Sequence, residues 1–220
     1  MLHTLITQIN TYLTLILAYG FSVTVAGAIR AWVAKKMGDY TAEFAGYLTI
    51  DPLVHVDVLG LVMLLLTGFG WGRTVPVNPD NVREPRRSLK LLAIFYSSTV
   101  IHILLCGFAI LLFALLMVSH GGYFGSTVFG KTLVMVMQAA IGINAFLAML
   151  RFIQASMELL FMHAVELHPE YAPYVELGAL IGSLSLMLLV GRQMQMFFLH
   201  LAAGITAVLS SFIYNLFSWM

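Results

Sequence analysis

Six apolar runs, separated by polar stretches, dominate this chain: Leu5 to Ile29, Val58 to Trp71, Leu91 to Ser119, Leu133 to His163, Leu177 to Val190 and Met196 to Trp219. A helix needs about 20 apolar residues to cross a bilayer, and four of the runs are long enough. Charged residues make up only 10% of the 220 positions and mean hydropathy is +0.93, whereas soluble domains carry about 25% charge. A soluble globule and a disordered chain are therefore excluded. A net charge of +1 provides no field for a polyanion, so nucleic acid is not an expected partner. The one cysteine, Cys106, rules out a disulfide framework and a cysteine-based zinc site. The expected fold is an all-α polytopic membrane protein of five or six transmembrane helices, one membrane domain over 1–220, with membrane lipid as its surroundings.

The first run opens with Thr7, Gln8, Asn10 and Thr11 and has no small-residue cleavage site, so it reads as a retained helix rather than a signal peptide. Two basic stretches, 30–36 and 73–90, should both face the cytoplasm. The second holds Arg73, Arg83, Arg86, Arg87 and Lys90. A single crossing by Val58 to Trp71 would put them on opposite sides. That run is short, so the expectation is a re-entrant or β-hairpin-like insertion between the first helix and the third run, giving five full spans. Six spans remain the alternative. Gly46 to Ile50 and Thr74 to Val77 have strand composition, with Pro76 allowing only an edge strand. Gly46, Leu48, Ile50, Val75 and Val77 would then form an edge able to pair with an extended peptide.

The blocks around this insertion carry a resemblance. Ala31-Trp32-Val33-Ala34-Lys35-Lys36-Met37-Gly38-Asp39, then Ala45 through Gly60, then Phe69 through Pro79, then Pro85-Arg86-Arg87 are similar, in order and spacing, to the signature blocks of the compact site-2 protease-like family of intramembrane zinc metalloproteases. Residues 20 to 180 fall within the resemblance, which suggests a core over 1–165 and a C-terminal helix pair over 166–220. It implies an H-E-x-x-H motif at the end of the first helix, with two histidines one turn apart holding zinc and a glutamate activating water. In this chain those positions read Ala26, Gly27, Ala28, Ile29 and Arg30. The family's third ligand, an aspartate in a Pro-rich Asp-Gly segment, corresponds to the stretch Arg151 to Leu159, where Glu158 lies one position away. The family's Ala-Gly-Pro-type turn is replaced by Ala93 to Thr99. Ala26, Gly27, Arg30 and Glu158 are thus degenerate active-site positions. The expectation is no metal, no cofactor and no catalytic residue.

Several polar residues remain. Arg151, Gln154 and Glu158 share a helix face and form a candidate polar cluster with Arg30, whose guanidinium would replace the metal as a link between helices. His55 and Asp57 read as parts of a structural turn, and His102 and His200 as core histidines. His163, Glu166 and His168 have one residue too many for an inverted zinc motif. The pairs Met135–Met137 and Met194–Met196 read as core filler rather than copper ligands. The function expected from the resemblance is a catalytically inactive site-2 protease-like protein of a bacterial inner membrane. It would bind a membrane-protein partner as scaffold, complex subunit or regulator. The alternatives are an active zinc protease with relocated ligands, drawn from His55, Asp57, His102 or Glu158, and a transporter or channel component.

Overall fold

The computed structural model describes residues 2–68 and 70–167, with individual positions beyond 167; side chains are described from residue 8 onward, except those of 118–125 and 164–167. All its regular elements are helical. Helix α1 (Leu2–Lys36) is followed by two short helical turns, α2 (Thr41–Phe44) and α3 (Pro52–His55). Then come α4 (Val58–Thr67), a 3-10 turn at Pro79–Asn81, α5 (Arg87–Ser126) and α6 (Val128–Leu167). Among the described residues three segments are long and apolar enough to cross a membrane: Gln8–Lys36, Arg87–Met117 and Val128–His163. Most of the last two apolar runs, and the segment Glu166 to Glu176 with its two prolines, lie outside the described residues.

The three long helices pack side by side. Ala18, Tyr19 and Val23 of α1 meet Ile143, Phe146, Leu147 and Leu150 of α6, with Leu64 of α4 closing the cluster. One end of the bundle is built from Ala34, Val82, Leu91, Ile94, Phe95 and Ala155. Because Ala34 near the end of α1 meets Leu91 near the start of α5, Lys35, Lys36, Arg87 and Lys90 share one end of the bundle. Residues His120 to Ser126, between the third and fourth apolar runs, continue helix α5, and α5 and α6 are separated only by a bend at Thr127. The Thr127 hydroxyl accepts from Gly130 N at 3.0 Å, which caps the new helix.

The insertion between α1 and α5 has a different structure from the strands expected of it. Neither Gly46 to Ile50 nor Thr74 to Val77 forms a strand; the described residues contain one isolated antiparallel bridge, Val56 to Gly72. The physical reason is visible in what each segment packs on. Val75 is buried against Ala31 and Ala42, and Val77 packs on the Ala34–Val82 cluster, so both side chains are committed to α1 and its neighbours. Gly46 sits in a left-handed turn at φ +81° after α2, while Leu48 and Ile50 stay exposed.

Asp39, fully buried, organises the base of the insertion. Its carboxylate accepts from Thr41 N, from Asn78 N at 2.8 Å and from Asn81 Nδ2 at 2.8 Å. From there the chain climbs along α1, forms α4 and returns. Helix α4 is only 10 residues long, about 15 Å, half the thickness of a bilayer core. It stops at Gly68, which is left-handed at φ +79°. The returning strand of chain lies so close that a Cβ on Gly60 would come within 2.0 Å of the Trp71 carbonyl oxygen. Arg73 N then donates to His55 O at 2.7 Å, and Tyr19 Oη donates to Trp71 O at 2.6 Å. Entry to and exit from α4 therefore meet at the same place on α1.

Candidate functional site

The positions that the resemblance assigns to zinc chemistry lie on the inner side of α1. Ala26 is buried, and Gly27 faces the ring of His55 so closely that a Cβ there would lie 2.3 Å from His55 Nδ1. Helix α3 holds this imidazole in place. Asp51 caps it by accepting from Leu53 N at 2.9 Å, and His55 Nε2 lies 2.9 Å from Thr49 O. A carbonyl only accepts, so Nε2 carries the proton and Nδ1 presents a lone pair towards Gly27. The space in which a glutamate at position 27 would begin is occupied by the histidine.

One turn further along α1, the buried Arg30 extends between α5 and α6. Its Nη2 lies 3.0 Å from Glu158 Oε2, and its guanidinium carbon is 5.6 Å from the centre of the Phe95 ring. The glutamate side chain is 27% exposed, the arginine 4%, so the pair sits at the margin of the interior. Arg151, two turns before Glu158 on α6, is also buried. It donates through Nη1 to Gln154 Oε1 at 2.9 Å and through Nη2 to Gly72 O at 2.8 Å. The second bond ties α6 to the returning segment of the insertion. Arg30, Arg151, Gln154 and Glu158 are thus brought into one cluster spanning α1, α6 and the insertion.

The other polar residues are distributed elsewhere. Asp57 caps α4, accepting from Gly60 N at 2.7 Å. His102 Nδ1 lies 3.0 Å from Asn144 Oδ1, and Asn144 Nδ2 donates to Ser22 Oγ at 2.8 Å. This makes a buried polar clamp joining α5, α6 and α1. His163 is exposed, the side chains of Glu166 and His168 lie outside the described residues, and so do Met194 and Met196. Met135 and Met137 are half-buried along α6.

Sequence reasoning missed the roles of Asn144, Phe95, Gly72 and Asp39. An asparagine within a long apolar run was a usable signal for Asn144, since a buried amide requires partners. Nothing in the sequence singles out a backbone carbonyl such as that of Gly72.

Zinc can be tested against this donor set. Alanine and glycine at 26 and 27 offer no side-chain donor, and Arg30 is a cation engaged with the carboxylate nearest the third ligand position. Among the described residues no three His, Cys, Asp or Glu side chains converge. The residues at these positions do not fit the metal.

Fold and site together define an all-helical chain with three helices long and apolar enough to cross a membrane, and a cluster in which Arg30 pairs with Glu158 near the buried Arg151. In comparison with known proteins, it is similar to a Bacillus subtilis (strain 168) protein bearing the name "Putative zinc metalloprotease YwhC". The two are 40% identical over 83 residues, which is 38% of this chain and 37% of that protein. The matched stretch thus spans well under half of the relative's length. This likeness supports a site-2 protease-like relationship. No family model matches the chain, and no solved structure matches it.

Proposed function

We propose that this chain is a catalytically inactive relative of site-2 proteases that binds a membrane-embedded partner, as scaffold, complex subunit or regulator, in a bacterial inner membrane. The observation that carries the reading is the exchange at the motif positions. Two donor-free residues and an arginine stand where two imidazoles and a carboxylate are needed, and the arginine is ion-paired to Glu158 at 3.0 Å. A metal at that point would meet a positive charge instead of electron pairs. The packing of His55 against Gly27 supports the same reading, because a side chain at 27 would require His55 to move.

The insertion is what remains available for recognition. In this reading it is re-entrant. Its entry and exit meet beside Val23 and Gly27, which lie 9 to 13 residues before Lys36, or about 14–20 Å along the helix. Phe44, Ile50, Leu53 and Leu59 are exposed there, apolar side chains suited to lipid or to a partner helix. Five full spans follow from this, with both basic stretches in the cytoplasm. The exposed side chains of Leu48 and Ile50, which belong to a turn and not to a strand edge, add to this apolar surface.

The alternative, an active protease with relocated ligands, would draw on His55, Asp57, His102 and Glu158. These four are held by Thr49, Gly60, Asn144 and Arg30 respectively. The test is the zinc content of protein purified without chelators, measured by elemental analysis, together with the proteins that co-purify in mild detergent. We expect far less than one zinc per chain and a stoichiometric membrane partner. About one zinc per chain, lost in His55→Ala or Glu158→Gln, would overturn the proposal.

A further inference from the structure

The structure brings two buried guanidinium groups together with one contacting carboxylate. Arg30 and Arg151 are 3% and 8% exposed, and the carboxylate that pairs with Arg30 lies two turns from Arg151 on the same face of α6. Glu158 pairs with Arg30, whereas the two hydrogen bonds of Arg151 go to neutral oxygens, those of Gln154 and Gly72. Among the described residues no carboxylate lies within ion-pair distance of Arg151. The Asp57 carboxylate is occupied at the start of α4.

A second observation points the same way. Arg30 Nε and Thr99 Oγ1 are buried without a hydrogen-bond partner among the described residues, and each such group calls for an explanation. Thr99 follows Phe95 by one turn on α5, so the two share a face, and the Arg30 guanidinium lies over Phe95. Both unpartnered groups are hydrogen-bond donors, and Phe95 connects them, one turn from Thr99 and beneath the Arg30 guanidinium. His55 Nδ1, also unpartnered, is turned onto Gly27 and presents a lone pair, so it is not part of this donor set.

We propose that Arg30, Arg151 and Thr99 form a binding site for a small monovalent anion, either a free ion or the carboxylate of a membrane partner. The chemistry shared by these ligands is a single negative charge with lone pairs, which an N–H of each arginine and the threonine hydroxyl can satisfy together. Anion binding would balance the second guanidinium inside the bundle, where an unpaired charge is costly. The site stands whether or not the chain has a protein partner, so its failure leaves the zinc measurement above unaffected.

The test is thermal unfolding of the full purified chain in detergent, titrated with sodium chloride, bromide or formate against sodium MES at matched ionic strength. A ligand of the folded state raises the midpoint in a saturable way. We expect such a rise, with the half-saturating concentration increased about tenfold or more in Arg151→Gln, the loss of one charged contact. Thr99→Val, which keeps the shape of the side chain, guards against a misfolded arginine variant and should weaken the response several-fold. A rise with all three salts assigns a free anion, and a rise with formate alone assigns a carboxylate. No rise beyond MES, or the same response in both variants, would overturn the site.

Discussion

A methyl group added at Gly27 would lie 2.3 Å from His55 Nδ1, inside the contact distance of any real pair of atoms. Gly27→Ala should therefore destabilise the protein by about 1–3 kcal/mol, the usual cost of overpacking a filled interior. Removing the ring as well, in Gly27→Ala with His55→Ala, should recover part of the loss in detergent unfolding. A neutral single variant would mean that the contact is slack. The Arg30–Glu158 pair makes a second prediction at this scale. Removing one partner of a fully buried pair costs about 3–5 kcal/mol. Glu158 is 27% exposed, so Arg30→Ala should cost less than that but remain measurable. Replacing both residues by methionine should be milder than either single change, because neither member of the pair is then left without its partner. If Arg30→Ala unfolds like the unmodified protein, the guanidinium is not a cross-link between helices.

At the scale of elements, the insertion depends on Asp39. Desolvation pushes its carboxyl upward, but hydrogen bonds from Asn81, from Thr41 and from the Asn78 backbone outweigh this and hold it below the ordinary aspartate range. A carboxyl depressed in the folded state contributes stability that is present above its unfolded value, near pH 4. That contribution is lost as pH falls through the lower folded value. Acidification below about pH 4 should therefore loosen residues 38–86, detected as faster proteolysis there than at pH 6. Asp39→Asn should be cut readily at both pH values. Glycine spacing decides the adjoining hairpin of α4. Gly60 allows Trp71 to pass, and Gly72 fits against Val23, where a Cβ would come within 2.8 Å of the valine Cβ. The strand-like composition of Thr74 to Val77 was legible in the sequence. The outcome was not, because Val75 and Val77 gain more from burial on α1 than from a ladder with no partner strand.

For the whole molecule, the placement of Lys35, Lys36, Arg87 and Lys90 at one end of the bundle bears on sidedness. In a Cys106→Ser background, single cysteines at Lys36 and Arg86 should react with an impermeant maleimide from the same face of sealed vesicles. Reaction from opposite faces would mean that the insertion crosses the bilayer, and the re-entrant reading would fail. The long apolar helices could be read from residue types and run lengths, since bilayer thickness acts on local sequence, whereas the motif positions were assigned only through the resemblance of the blocks between 31 and 87. Which residues meet across the bundle could not be read in that way. The contact of Arg30 with Glu158 joins positions 128 residues apart, that of Arg151 with Gly72 joins positions 79 apart, and His55 reaches Gly27 only because α3 folds back on α1. Such encounters depend on how helices dock and how close glycines let backbones approach, and only the folded chain determines them.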